Sequence, residues 1–91
     1  MDDQNKPVEG QLHVFVMTGD SVVYDDTATS VSSRNEKGRF DILPMHTNFI
    51  SIVKEFVLIQ INAEDKKEID IKNGIMRVYE NNVQVFVGAS E

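Results

Sequence analysis

Two histidines, His13 and His46, and two acidic pairs, Asp25-Asp26 and Glu64-Asp65, are the side chains of this sequence that could move protons or hold a metal. A metal site needs three or four convergent ligands, and neither histidine has a second one at ligand spacing such as His-x-x-x-His. Cysteine is absent, so thiolate sites, disulfides and a thiol nucleophile are excluded. Both acidic pairs fall in stretches that read as turns. Carboxylates surrounded by water keep ordinary acidity and make poor general acids or bases. The chain has no Gly-x-Ser-x-Gly elbow and no Gly-x-x-x-x-Gly-Lys phosphate loop. His13 reads as an outward side chain on a strand, and His46 as a cap on a corner or a partner contact. The residues therefore predict no catalytic site, no cofactor and no metal.

The elements that carry these residues read as strands. Leu12, Val14 and Val16 alternate with His13, Phe15 and Met17, the period of two of a strand. Thr18 to Asp20 is a turn and Ser21 to Tyr24 a second short strand. Asp25-Asp26 breaks or bulges the pairing before a third strand over Thr27 to Arg34, rich in β-branched and small residues. Asn35 to Gly38 is a polar turn, followed by Phe40, Ile42 and Leu43. Pro44 has no backbone N–H and must mark an edge, a bulge or a corner, displaying Met45 and His46. Phe49 to Val53 comes next. The apolar run Phe56 to Ile61 then predicts a central strand covered on both faces. Asn62 to Lys66 is a hairpin loop before Lys67 to Ile71. Asn73-Gly74 predicts a type I′ hairpin, which needs positive φ at both central residues. Ile75 to Tyr79 and Val83 to Val87 end the series, joined through Glu80 to Asn82. Strands spaced in this way, with no 3.6-residue periodicity, predict an all-β fold: an antiparallel β-sandwich of about 8–10 short strands with little or no helix.

Ninety-one residues make one domain. Residues 1–10 read as a flexible lead-in, 11–88 as the sandwich and 89–91 as a tail. The polar N-terminus has no signal-peptide core, and no apolar run approaches the ~18 residues of a membrane-spanning helix, so the expected location is cytoplasmic. A net charge of −6 argues against nucleic acid or anionic lipid as partner. The aromatic residues sit within strands and are not interleaved with basic ones, as a single-strand nucleic-acid platform would require.

The corner segment resembles the N-terminal domain of the epsilon subunit of F-type ATP synthase, called delta in mitochondria. The usual family form, Gly-x-hydrophobe-Gly-Ile-Leu-Pro-Gly-His-Ala-Pro, stands here as Gly38-Arg39-Phe40-Asp41-Ile42-Leu43-Pro44-Met45-His46-Thr47-Asn48. Asp41, Met45 and Thr47-Asn48 replace small residues or proline. Leu12-His13-Val14 and Val22-Val23-Tyr24 before the corner, and Asn73-Gly74-Ile75 and Val83-Gln84-Val85 after it, follow the family's other segments in order, so the similarity covers residues 11 to 88. The resemblance implies a ten-stranded sandwich at the foot of the central stalk, non-catalytic, peripheral to the membrane through its partners, holding the gamma subunit and touching the c ring. Carried over by position, the contact residues are Glu36, Arg39, Phe40, Met45 and His46, although the family often has an acidic residue where Arg39 stands. The sequence ends at Glu91, where family members usually continue into a pair of regulatory helices. A stand-alone adaptor or interaction domain sharing the fold is the alternative.

Overall fold

In the computed structural model, which describes residues 10–88, there are seven strands and no helix. The expected lead-in, all but Gly10, and the tail over 89–91 lie outside the described residues. The strands are β1 (Leu12–Thr18), β2 (Ser21–Ala28), β3 (Ser30–Asn35), β4 (Gly38–Ile42), β5 (Phe49–Gln60), β6 (Lys66–Tyr79) and β7 (Asn82–Val87). They form one sheet in the order β2-β1-β7-β6-β5-β3-β4.

This single sheet makes a sandwich because its two longest strands serve both layers. The N-terminal half of β5 pairs with the C-terminal half of β6 (Phe49 with Val78 to Val53 with Gly74), and the remaining halves pair from Glu55 with Ile71 to Gln60 with Lys66. Between them the register slips at Lys54, and Glu55 takes a φ of 75°. In β6 the inward parity changes at the same place: Ile69 and Ile71 point to the core before it, Gly74, Met76 and Val78 after it. A bulge adds a residue and bends its strand, which turns one layer over the other. The buried residues Leu12, Val14, Val16, Val83, Val85 and Met76 of one layer then meet Val31, Ile42, Val57 and Ile59 of the other in one core.

Several sequence expectations change here. The strands are fewer and longer than the 8–10 short ones expected, because the breaks at Asp25-Asp26, Lys54-Glu55 and Asn73-Gly74 are not chain reversals. β2 runs through Asp25-Asp26 to Ala28, and its register shift lies earlier, opposite Val16 and Met17. The sheet is also not wholly antiparallel, since β1 and β7 pair in parallel from His13 with Asn82 to Thr18 with Val87. Phe56 to Ile61 is not covered on both faces: Val57 and Ile59 are buried while Phe56 and Leu58 are half-exposed, because each layer of a sandwich has one inner face.

Asn73-Gly74 forms no hairpin. It lies inside β6, and neither residue has positive φ. Gly74 is buried because β7 runs very close: a Cβ there would stand 2.9 Å from the Phe86 carbonyl oxygen and 3.2 Å from the Val87 Cα. The tight reversal lies instead between β6 and β7, where Glu80 (φ 47°) and Asn81 (φ 65°) both adopt the left-handed conformation of a type I′ turn.

Candidate functional site

The proline corner between β4 and β5 is built as its sequence dictates. Leu43, Pro44, Met45 and His46 form a tight turn closed by the His46 N–H donating to the Leu43 carbonyl at 3.1 Å. Proline suits the second position of such a turn, and the third position requires positive φ, normally glycine. Here Met45 occupies it with φ 72°. The strain is held by a contact from across the molecule, in which the Met45 N–H donates to Asn81 Oδ1 at 2.7 Å. The two left-handed turns thus lock together, and the Met45 side chain stands out at 83% exposure beside exposed Leu43. Replacing Met45 with glycine removes the backbone strain and should stabilise the fold by about 1 kcal/mol in urea unfolding, with no change in the hydrogen bond to Asn81.

The five carried-over residues do not form one surface. Phe40 points inward and packs on the core, with its ring 5.4 Å from Phe49. His46 meets the same Phe49 edge-on at 5.6 Å, and its Nδ1 lies 2.8 Å from the Thr47 carbonyl, which fixes the proton on that nitrogen. Phe40, Phe49 and His46 therefore form one aromatic cluster beside the corner. Arg39 faces outward beside Asp41 at 3.6 Å, and its guanidinium lies 5.6 Å from the Phe56 ring centre. Glu36 is exposed in the turn before β4, at the opposite end of that strand from the corner.

The groups that opened the sequence reading have structural employment. His13 Nε2 lies 2.7 Å from Asp25 Oδ1 across β1 and β2. Asp26 accepts the Thr27 N–H at 2.7 Å. Asn62 Oδ1 accepts the N–H groups of Glu64 and Asp65, each at 2.9 Å, shaping the loop before β6. Burial, with the Asp26 carboxylate adding to it, lifts the Tyr24 hydroxyl above its ordinary pKa, and that hydroxyl donates to the Thr27 carbonyl at 2.6 Å. Among the described residues, no three His, Asp or Glu side chains are grouped as a metal site would need.

A larger feature was missed by the sequence reading. Following the register, Val22 lies opposite Met17, Met17 opposite Phe86, Phe86 opposite Ile75 and Ile75 opposite Ile52. This is a continuous apolar row across β2, β1, β7, β6 and β5 on the outer face of one layer. Val22, Phe86, Ile75 and Ile52 are all exposed, Ile52 at 72%. Phe15 joins the row with its ring 6.2 Å from Phe86. Isolated exposed hydrophobes are ordinary, whereas a contiguous patch marks a place where something docks. The signal was present as strands apolar on both sides (Phe15 and Met17 beside Val14 and Val16), but sequence alternation does not say which side is covered.

The chain matches the ATP synthase, Delta/Epsilon chain, beta-sandwich domain over residues 11–91. Among solved structures, it is similar to a chain of the Euglena gracilis mitochondrial ATP synthase OSCP/F1/c-ring assembly, with TM-score 0.80 and 16% identity, covering 94% of this chain and 54% of that one. It is similar also to a chain of the Tetrahymena thermophila mitochondrial ATP synthase central stalk and c-ring, with TM-score 0.70 and 10% identity, covering 85% of this chain and 63% of that one. At those identities the likeness is one of fold, and this chain spans roughly half to three fifths of each neighbour's length. With the family match running across nearly all of the residues, and the bent seven-stranded sheet and proline corner beneath it, this chain belongs to the delta/epsilon β-sandwich family of ATP synthase.

Proposed function

We propose that the chain is a non-catalytic central-stalk domain of an F-type ATP synthase, coupling the gamma subunit to the membrane c ring. The observation that carries this reading is the apolar row from Val22 to Ile52, an exposed, β-supported seat on a member of this family. Gamma takes that seat. The corner, with Met45 and Leu43 projecting and His46 behind them, faces the polar loops of the ring. Phe40 packs behind it, Arg39 lies on the strand that leads to it, and Glu36, at the far end of that strand, lies outside this contact. Torque passes through such a body mechanically, so the sheet needs rigidity and two separate contacts and no bond chemistry. Its place is peripheral to the membrane, on the cytoplasmic side, held there by its partners.

The test is co-purification of the full chain with gamma and, separately, with detergent-solubilised c ring. Ile75→Glu with Phe86→Glu puts two carboxylates in the middle of the seat and should weaken gamma binding roughly 30-fold or more. Met45→Glu should weaken ring binding and leave gamma bound. A wild-type chain that ignores both partners returns the protein to the stand-alone adaptor reading.

A further inference from the structure

The two halves of β5 have different neighbours. β3 accompanies β5 from Gln60 only as far as Lys54, where Arg34 is its last partner. Beyond that point, over Phe49 to Val53, β5 pairs with β6 on one side, and among the described residues no strand pairs with the other. The layer therefore has an open edge five residues long. Beside it runs a groove of about 620 Å³, bounded by the β3–β4 turn at Asn35, Glu36 and Lys37, by Phe49 to Lys54, and by Lys72 and Asn73. The turn is tied to the edge by Asn35 Nδ2 donating to the Ser51 hydroxyl at 3.1 Å, and that hydroxyl donates to the Ile52 carbonyl at 3.1 Å. Two side chains thus occupy part of what a neighbouring strand would occupy.

Exposed edges are usually protected by lysine, a bulge or a very short strand. This edge has the bulge at Lys54-Glu55 and, at the rim of its groove, three lysines, Lys37, Lys54 and Lys72, against one carboxylate, Glu36, in a chain whose net charge is −6. Among the described residues none of the three pairs with a carboxylate. The edge also presents Ile50 and Ile52, both more than 70% exposed. Lysines keep like edges apart and at the same time select against basic segments and for acidic ones. From the open ladder, the aliphatic pair and the cationic rim we infer that Phe49–Val53 is a strand-addition site for an extended partner segment that alternates aliphatic and acidic residues. Its backbone continues the sheet beyond β5, its aliphatic side chains cover Ile50 and Ile52, and its carboxylates face Lys37, Lys54 and Lys72. Recognition of this kind draws affinity from main-chain hydrogen bonds and specificity from alternate side chains. The site stands apart from the ring contact proposed above and shares only Ile52 with the gamma seat.

The experiment uses the full chain, isotope-labelled, titrated with four synthetic peptides: Val-Glu-Val-Asp-Val-Glu, the same sequence with lysine at each acidic position, and two forms of the acidic peptide N-methylated at alternate amides, one in each register. Strand addition predicts that the acidic peptide shifts the backbone resonances of 49–53 and slows amide exchange there. It should bind roughly fivefold or more tightly than the basic peptide at low salt, a margin that shrinks with added salt. N-methylation should weaken it roughly tenfold, since it removes the ladder hydrogen bonds. Lys54→Glu with Lys72→Glu should reverse the charge preference while the thermal midpoint stays within a few degrees. Equal binding of acidic and basic peptides, indifference to N-methylation, or no shift at 49–53 would each overturn the inference. So would self-association of the chain through this edge in place of peptide binding. None of these readouts involves gamma or the c ring, so the stalk reading stands or falls separately.

Discussion

Gly74→Val is expected to be the most damaging single substitution outside the large core residues, lowering stability by about 2–3 kcal/mol and the thermal midpoint by ~10–20 °C. The new Cβ would have to enter space already held by main-chain atoms, the Phe86 oxygen at 2.9 Å and the Val87 Cα at 3.2 Å. A flexible side chain could turn aside, whereas a paired strand moves only by giving up ladder hydrogen bonds. The position is buried and lies where β5, β6 and β7 meet, opposite Val53 on one side and Val87 on the other. Valine would otherwise suit a strand, so its failure would isolate the close approach as the cause. Asn73→Thr separates this account from a hairpin at the same dipeptide. In a type I′ turn a β-branched residue is strongly disfavoured, while in the strand seen here threonine should change stability by less than about 0.5 kcal/mol. Urea unfolding of the two variants beside the parent decides between them.

Phe40→Ala is expected to cost about 2–3 kcal/mol, below the range for fully buried phenylalanines because the ring is half-buried on an edge strand. The ring packs on the core and on Phe49, which in turn supports the His46 ring. Removing it withdraws the ring on which Phe49 packs, and with it the support of the His46 ring at the corner. Phe40→Leu retains most of the packed volume and should recover all but about 1 kcal/mol. In partner binding, the two variants should differ in proportion to their unfolded fractions and corner mobility. Weakened binding by Phe40→Leu at full foldedness, measured by circular dichroism and titration together, would instead make the ring a direct contact.

These expectations show where local sequence signals were sufficient. The corner was legible because Pro44 both lacks a donor and fixes its own φ, and the surrounding chain leaves few conformations for it. The strands were legible from their β-branched residues. Turn chemistry was less dependable: Asn73-Gly74 has the preferred composition for a tight reversal and lies in mid-strand, while the reversal falls on Glu80-Asn81, where one residue is poorly suited to positive φ. The register of β6 against β7 sets that outcome. With Met76 opposite Val85 and Val78 opposite Val83 inside the core, the hairpin has only two residues left for its loop. The site was harder still. Ile50 and Ile52 are exposed, and Val53, one residue on, is fully buried. Strand alternation puts Ile50 and Ile52 on the side opposite Val53, but which of the two sides is covered is set by how the other layer folds over it, a long-range outcome.

The parallel pairing of β1 with β7 has a bearing on how this chain is made. Strand β1 finds one neighbour, β2, within a few residues, but its other neighbour, β7, is synthesised more than fifty residues later. At ribosomal rates of about 5–20 residues per second, the β1–β2 hairpin waits several seconds with one edge unoccupied. The acidic β2, with Asp25 and Asp26 both exposed, covers one flank of that nascent hairpin with charge. The flank that awaits β7 has no such cover, so a nascent chain stalled before Val83 would be the species most in need of a chaperone.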